Sequence, residues 1–125
     1  MKRQNIHTDA SNTGFSIAEI LMYEAIGLAK PGRGVDFVDR ASLKGDCPVN
    51  TGGGLLAFGH PVGATGVKQL VEIFRQMKGR CSSYQIRSRG HHLPHLGLAV
   101  NMGGDDKTVV ATLIRNVASS SSSKL

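Results

Sequence analysis

Apolar and polar positions divide the chain into four periodic stretches separated by breaks rich in glycine, proline and serine. Residues 1–14 show no period and read as an irregular lead-in. Phe15-Ser16-Ile17-Ala18-Glu19-Ile20 then opens a helix: Ser16 and Glu19 have capping-box spacing, and Phe15 with Ile20 fits a hydrophobic staple. This helix is expected to reach about Ala29, where Pro31-Gly32 stops it. Its polar stripe is narrow (Ser16, Glu19, Tyr23, Gly27), and a helix apolar nearly all round is expected to be buried. Residues 31–48 read as a loop-rich connection with 35–38 extended. A second helix is expected from about Ala64 to Lys78. Its apolar face is Val67, Leu70, Val71, Phe74 and Met77, which recur at helical spacing, and Gly79 suits the position after its end.

Residues 81–94 form another polar connection. Leu96 to Met102 and Thr108 to Ile114 then read as strands joined through Gly103-Gly104-Asp105-Asp106. Their near-continuous apolar pattern implies a sheet covered on both faces. Helices mixed with strands give the α/β class. The serine run 119–123 reads as a flexible, solvated tail.

The 125 residues amount to one domain at most, with 40% hydrophobic residues and no tryptophan. No apolar run approaches the length of a membrane helix, and the basic start lacks the apolar core of a secretory signal. The net charge of +6 admits an acidic partner. The cations are dispersed, however, apart from a loose cluster at Arg75, Lys78, Arg80, Arg87 and Arg89. Only Tyr84 interleaves with it, which argues against nucleic acid. Cys47 and Cys81 have neither disulfide-framework nor zinc spacing and read as reduced thiols. His91-His92-Leu93-Pro94-His95 lacks an accompanying carboxylate or thiol, so no metal site is expected.

Candidate chemistry concentrates in Val49-Asn50-Thr51-Gly52-Gly53-Gly54 and the following Gly59-His60-Pro61-Val62-Gly63-Ala64-Thr65-Gly66. No lysine stands where a phosphate-binding Walker loop needs one, and the third glycine of a dinucleotide turn is missing. His60 lies between a glycine turn and a proline, just ahead of a helix start whose partial positive charge favours a neutral imidazole. Such a ring can take a proton from a nucleophile or donate to an oxyanion. From the residues alone, a catalytic histidine and a structural turn histidine both remain open.

These two segments resemble the third active-site loop of thiolases. Phe15 to Ala25 resembles the helix after the second loop of the sterol-carrier-protein type, and Leu98-Ala99-Val100-Asn101-Met102-Gly103-Gly104 resembles the fourth loop. The resemblance covers about Phe15 to Arg115. It implies a partial thiolase-like α/β half-domain over 15–116, a mixed sheet with covering helices, followed by a tail over 117–125. It also implies an acyl-CoA acyltransferase that makes or cleaves a carbon–carbon bond beside a thioester in lipid metabolism, with coenzyme A thioester as substrate and no further cofactor. His60 takes the role of the histidine that activates the nucleophilic cysteine and holds the thioester oxygen. Gly103 matches the glycine N–H of a second oxyanion site, and Asn12 matches the asparagine that holds an oxyanion-hole water. Gly53, Gly54 and Gly59 match substrate-contacting positions.

The departures matter equally. The second loop reads Asn12-Thr13-Gly14-Phe15 and the fourth Asn101-Met102-Gly103, and neither has the family's acid/base cysteine. The family's nucleophile belongs to a half absent from this sequence. The expectation is therefore a C-terminal thiolase portion, inactive alone, whose partners are acyl-CoA and either an N-terminal thiolase half or a homodimer mate. A non-catalytic acyl-CoA-binding or partner-binding module is the alternative. Ser123-Lys124-Leu125 reads as an import address for peroxisomes or glycosomes.

Overall fold

The computed structural model describes residues 6–9, 16–87, 92–103 and 107–117. The staple residue Phe15, the strand connection at 104–106, Arg89, His91 and the serine-rich tail with its Ser-Lys-Leu end lie outside them.

Three strands form one mixed sheet in the order β1-β2-β3. Strand β1 is Ile6–Asp9, β2 is Leu96–Gly103 and β3 is Thr108–Arg115. β1 pairs parallel with β2, from Ile6 opposite Leu96 to Asp9 opposite Ala99. β2 and β3 form an antiparallel ladder from Leu96 opposite Arg115 to Gly103 opposite Thr108. The expected strands are present, each one residue longer. The lead-in expected to be irregular contributes β1, since a four-residue strand is too short to show a period of its own.

Alternation along β2 sends its side chains to two different layers. Val100, with Leu98 and Met102, joins a core of Met22, Tyr23, Phe37, Ala41 and Val49. Ala99 faces the other way, against Ile73 and Met77, with Leu70 and Ile114 alongside. The expectation of a sheet covered on both faces therefore holds for β2. It fails for β3, where Val109, Val110 and Leu113 are exposed.

Helix α1 is Ser16–Ala25, shorter than expected. It ends at Gly27 (φ +76°), where Leu28 N–H donates to the Tyr23 carbonyl (2.8 Å) and Gly27 N–H to that of Glu24 (3.0 Å). This is the glycine cap of a Schellman turn, and it acts before the proline does. α1 is not buried all round either. Met22 and Tyr23 enter the core, whereas Ile17 and Leu21 stay exposed. Tyr23, placed by pattern on the polar stripe, is buried because its hydroxyl donates to Glu19 (2.6 Å), which satisfies its one polar atom.

The connection after α1 is helical where extended chain was expected. A 3₁₀ turn over Gly34–Phe37 runs into α2, Val38–Ala41. Glu24 organises it by accepting from the N–H groups of Gly32 (2.8 Å) and Gly34 (2.7 Å). Phe37 then packs on Tyr23 with ring centroids 4.8 Å apart, and the Arg40 guanidinium covers its other side.

Helix α3 is Gly54–Phe58 and α4 is Thr65–Met77. α4 ends as expected at Gly79 (φ +68°), with Arg80 N–H donating to the Arg75 carbonyl (2.9 Å). Its buried face differs from the expected one. Of the expected face Met77 is buried and Leu70 packs beside it, but Val67, Val71 and Phe74 are exposed, and α4 also buries Thr65, Gln69, Glu72, Ile73 and Gln76. The close approach to β2 selects that face. A Cβ at Gly97 would collide with the Ile73 side chain, and one at Gly66 would touch Asn101. Hydrogen bonds offset much of this polar burial: Gln69 Nε2 donates to the Val100 carbonyl (3.4 Å) and Gln76 Nε2 to the Tyr84 carbonyl (3.0 Å).

Candidate functional site

The glycine segment folds into a turn, the short helix α3 and a second turn leading to His60. Asn50 (φ +50°) and Gly53 (φ +89°) set the first turn, and Gly53 N–H donates to the Asn50 carbonyl (2.8 Å). At Gly53 a Cβ would stand 2.6 Å from that of Ala57 in addition to the unfavourable φ, so only glycine fits there. Gly54 is buried as the first residue of α3. Gly59 closes α3 at φ +72° with its N–H donating to the Leu55 carbonyl (2.9 Å). That left-handed residue turns the chain outward at His60.

His60 is exposed, and its Nδ1 lies 2.7 Å from Thr65 Oγ1. The Thr65 hydroxyl donates its one hydrogen to the Pro61 carbonyl (3.3 Å). The contact ties the ring to the first turn of α4 through Nδ1 and leaves Nε2 outside it. The backbone supports the same turn, with Ala64 N–H (2.7 Å) and Thr65 N–H (3.1 Å) both donating to the Pro61 carbonyl.

A cavity of about 290 Å³ opens beside this turn, lined by Gly54, Leu55, Phe58, Gly59, Pro61, Thr65 and Lys68 among others. Its walls are largely apolar, and Lys68 Nζ stands 3.4 Å from the centroid of the Phe58 ring. A larger groove of about 550 Å³ is built from residues 28–40 and holds none of the residues singled out above. Its size does not make it the site, because no candidate nucleophile, base or oxyanion donor lines it.

Two of the loops identified by pattern converge on the first turn of α4. Thr65 holds His60, and the adjacent Gly66 lies against Asn101, two residues before Gly103. Gly103 ends β2, exposed and with open space where a Cβ would stand. Gly53, Gly54 and Gly59 flank α3 on the approach to His60. Asn12 lies outside the described residues. Neither cysteine forms a disulfide, and neither belongs to this constellation. Cys47 is half-buried beside the Tyr23 core. Cys81 is buried, and burial, followed by the nearby Glu72 carboxylate 3.7 Å away, pushes its thiol up to about 11. Among the described residues no three His, Cys, Asp or Glu side chains gather to hold a metal, and no helix is long and apolar enough to cross a membrane.

Sequence pattern missed Thr65 as the partner of His60. The only available signal was its place five residues after the histidine, at the start of a helix. Pattern also missed Glu72 and Gln76, because polar residues on an amphipathic helix ordinarily mark its solvent side.

Residues 1–115 match the family model described as "Thiolase C-terminal domain-like". Among curated relatives, the chain is 42% identical over 74 residues to a benzoylsuccinyl-CoA thiolase subunit of Thauera aromatica, covering 58% of this chain and 19% of the relative. It is 38% identical over 103 residues to human sterol carrier protein 2, covering 81% of this chain and 18% of the relative. It is also 38% identical over 96 residues to an acetyl-CoA acetyltransferase of Methanothermobacter thermautotrophicus, covering 75% and 24%. The chain thus spans about a fifth of the length of the curated relatives it matches. With the glycine loop, the helix after it and the two C-terminal strands all inside the matched span, the chain belongs to the thiolase C-terminal domain-like family.

Proposed function

We propose that this chain is the C-terminal portion of a thiolase-type acyl-CoA acyltransferase and that it supplies the histidine for 3-ketoacyl-CoA cleavage or the reverse condensation. The observation that carries the reading is the tie of His60 Nδ1 to Thr65 Oγ1 (2.7 Å), which leaves Nε2 outside that contact, on a turn whose Gly59, Pro61 and Thr65 line the cavity. In cleavage, Nε2 takes the proton of a thiol nucleophile. The resulting Nε2–H then faces the thioester oxygen as negative charge develops there. Gly103 N–H, at the end of β2, is the donor for a second oxyanion, and Gly53, Gly54 and Gly59 give the backbone access that a thioester needs. Asn12 is assigned the oxyanion-hole water. No cofactor beyond the coenzyme A thioester substrate enters this scheme.

The nucleophile comes from an N-terminal thiolase half. The placements of Cys47 and Cys81 support this, since both lie away from His60 and the Cys81 thiol is held protonated. The test pairs the purified chain with a nucleophile-bearing N-terminal thiolase half. Turnover of a 3-ketoacyl-CoA should require both components and vanish with His60→Ala. Turnover by the chain alone would sink the assignment of the nucleophile, and full activity of His60→Ala would sink that of the base.

A second reading, a non-catalytic acyl-CoA-binding module, is favoured by one observation: Asn101 stands in the fourth loop where other thiolases carry the cysteine of a Cys-x-Gly motif. Calorimetric acyl-CoA binding with no turnover in any combination would select it. Delivery to peroxisomes or glycosomes is part of the proposal. A fluorescent protein fused ahead of the chain should become punctate and lose that pattern when Ser123-Lys124-Leu125 is deleted.

A further inference from the structure

Beneath the glycine segment lies a buried polar assembly for which the proposed chemistry has no direct use. Gln76 is fully buried in α4, and all four hydrogen-bonding positions of its amide are occupied. Nε2 donates to Thr51 Oγ1 (3.1 Å) and to the Tyr84 carbonyl (3.0 Å). Oε1 accepts from Gln85 Nε2 (3.0 Å) and from Ile86 N–H (2.8 Å). One turn earlier, Glu72 is buried with its Oε1 next to Gly52, where a Cβ would stand 3.2 Å away. A buried amide with every donor and acceptor met fixes its neighbours in one arrangement. Here those neighbours are the start of the glycine loop and the 81–86 segment.

The same helix holds the other end of that loop, where Thr65 Oγ1 lies 2.7 Å from His60 Nδ1. Thr51 and His60 are thus fastened to opposite ends of one rigid rod, eleven residues or roughly 16 Å apart along α4. Only α3 and its two glycine turns lie between them. Moving the Thr51 anchor therefore swings α3 and changes the direction in which His60 leaves Gly59.

We infer that Gln76 is a positioning residue for His60, acting through Thr51 and the glycine loop without touching substrate. This deepens the proposed function and rests on His60 being the base, so its test is read first without activity. The decisive variant is Thr51→Val in the full chain, because it cuts the loop-side bond and leaves Gln76 joined to Tyr84, Gln85 and Ile86. Hydrogen exchange and the ring ¹⁵N resonances of His60 are recorded, followed by titration with acetyl-CoA.

Gly53 N–H should exchange about tenfold faster, equivalent to a lost buried hydrogen bond. The His60 ring resonances should shift, while Ile86 N–H keeps its protection. Gln76→Leu should add the loss of Ile86 protection. Thr51→Ser, which restores the hydroxyl, should return the wild-type signature. Unchanged Gly53 exchange and unchanged His60 resonances in folded Thr51→Val would overturn the inference and leave Gln76 as a brace of the 81–86 segment alone. If wild-type chain shows the expected coupling but binds no acetyl-CoA, the positioning stands and the proposed substrate falls.

Discussion

A valine at position 65 would keep the shape of the side chain and remove the oxygen that holds His60. Thr65→Val should free the imidazole to rotate, lowering turnover of the reconstituted enzyme by about tenfold or more, the scale of a misdirected general base. The buried hydroxyl also donates to the Pro61 carbonyl, so unfolding should lose about 1 kcal/mol; a ring-nitrogen NMR spectrum reads the change at His60 directly. Cys81 offers a second test at this scale. With its thiol pushed up to about 11 by burial, alkylation at pH 8 should run about two orders of magnitude slower than for a free thiol. The fold favours the protonated form, so this contribution to stability is complete below the ordinary thiol value. It is lost as pH climbs toward 11, and urea melts across that range measure it. The histidine was legible in the sequence because its neighbours are glycine and proline, whose constraints are local. Thr65 and Gln76 were not, because a side chain's partner depends on which face of a helix the rest of the chain accepts.

The face that α4 buries is the clearest disagreement between pattern and fold. Periodicity located the helix and both strands to within a residue or two, since those signals arise within a single element. It assigned the whole apolar stripe inward, yet of that stripe only Met77 is fully buried, beside Ile73 against β2, and Thr65, Gln69, Glu72 and Gln76 are buried with them. The reason is that Gly97 and Ala99 offer a shallow surface while residues 51–52 and 81–86 bring hydrogen-bond partners to the opposite flank. Two substitutions test which face matters. Ile73→Ala, at a fully buried position, should cost about 2–5 kcal/mol in denaturant unfolding. Val71→Ala, at an exposed position, should stay within about 0.5 kcal/mol. Equal losses at both would mean that the expected stripe is the buried one after all. β1 escaped the pattern for a different reason, because four residues pair with β2 only through contacts set far along the chain.

At the scale of the molecule, the apolar surface is unevenly distributed. Val67, Val71 and Phe74 on α4, Val109, Val110 and Leu113 on β3, and Ile17 and Leu21 on α1 all remain exposed. Among the described residues β3 is also an edge strand, with one row of backbone groups unpaired. An apolar edge of this kind associates readily with another chain. The purified chain should therefore bind a hydrophobic dye in its native state and grow in apparent mass with concentration. Val110→Lys should reduce both effects without lowering the melting temperature, and sedimentation velocity distinguishes a true loss of association from unfolding.

The parallel pairing of β1 with β2 also determines when the sheet can be completed. Gly103 and Thr108 are five residues apart in sequence, whereas Ile6 and Leu96 are separated by about 90. Closing the longer loop costs roughly 2–3 kcal/mol more in chain entropy. Sheets dominated by such distant pairings form late. The hairpin of β2 and β3 can zip locally, while β1 waits unpaired until the roughly 90 residues that separate it from β2 have followed it. Among these three strands, assembly accordingly runs against the direction of synthesis, and β1 is the last to find its place.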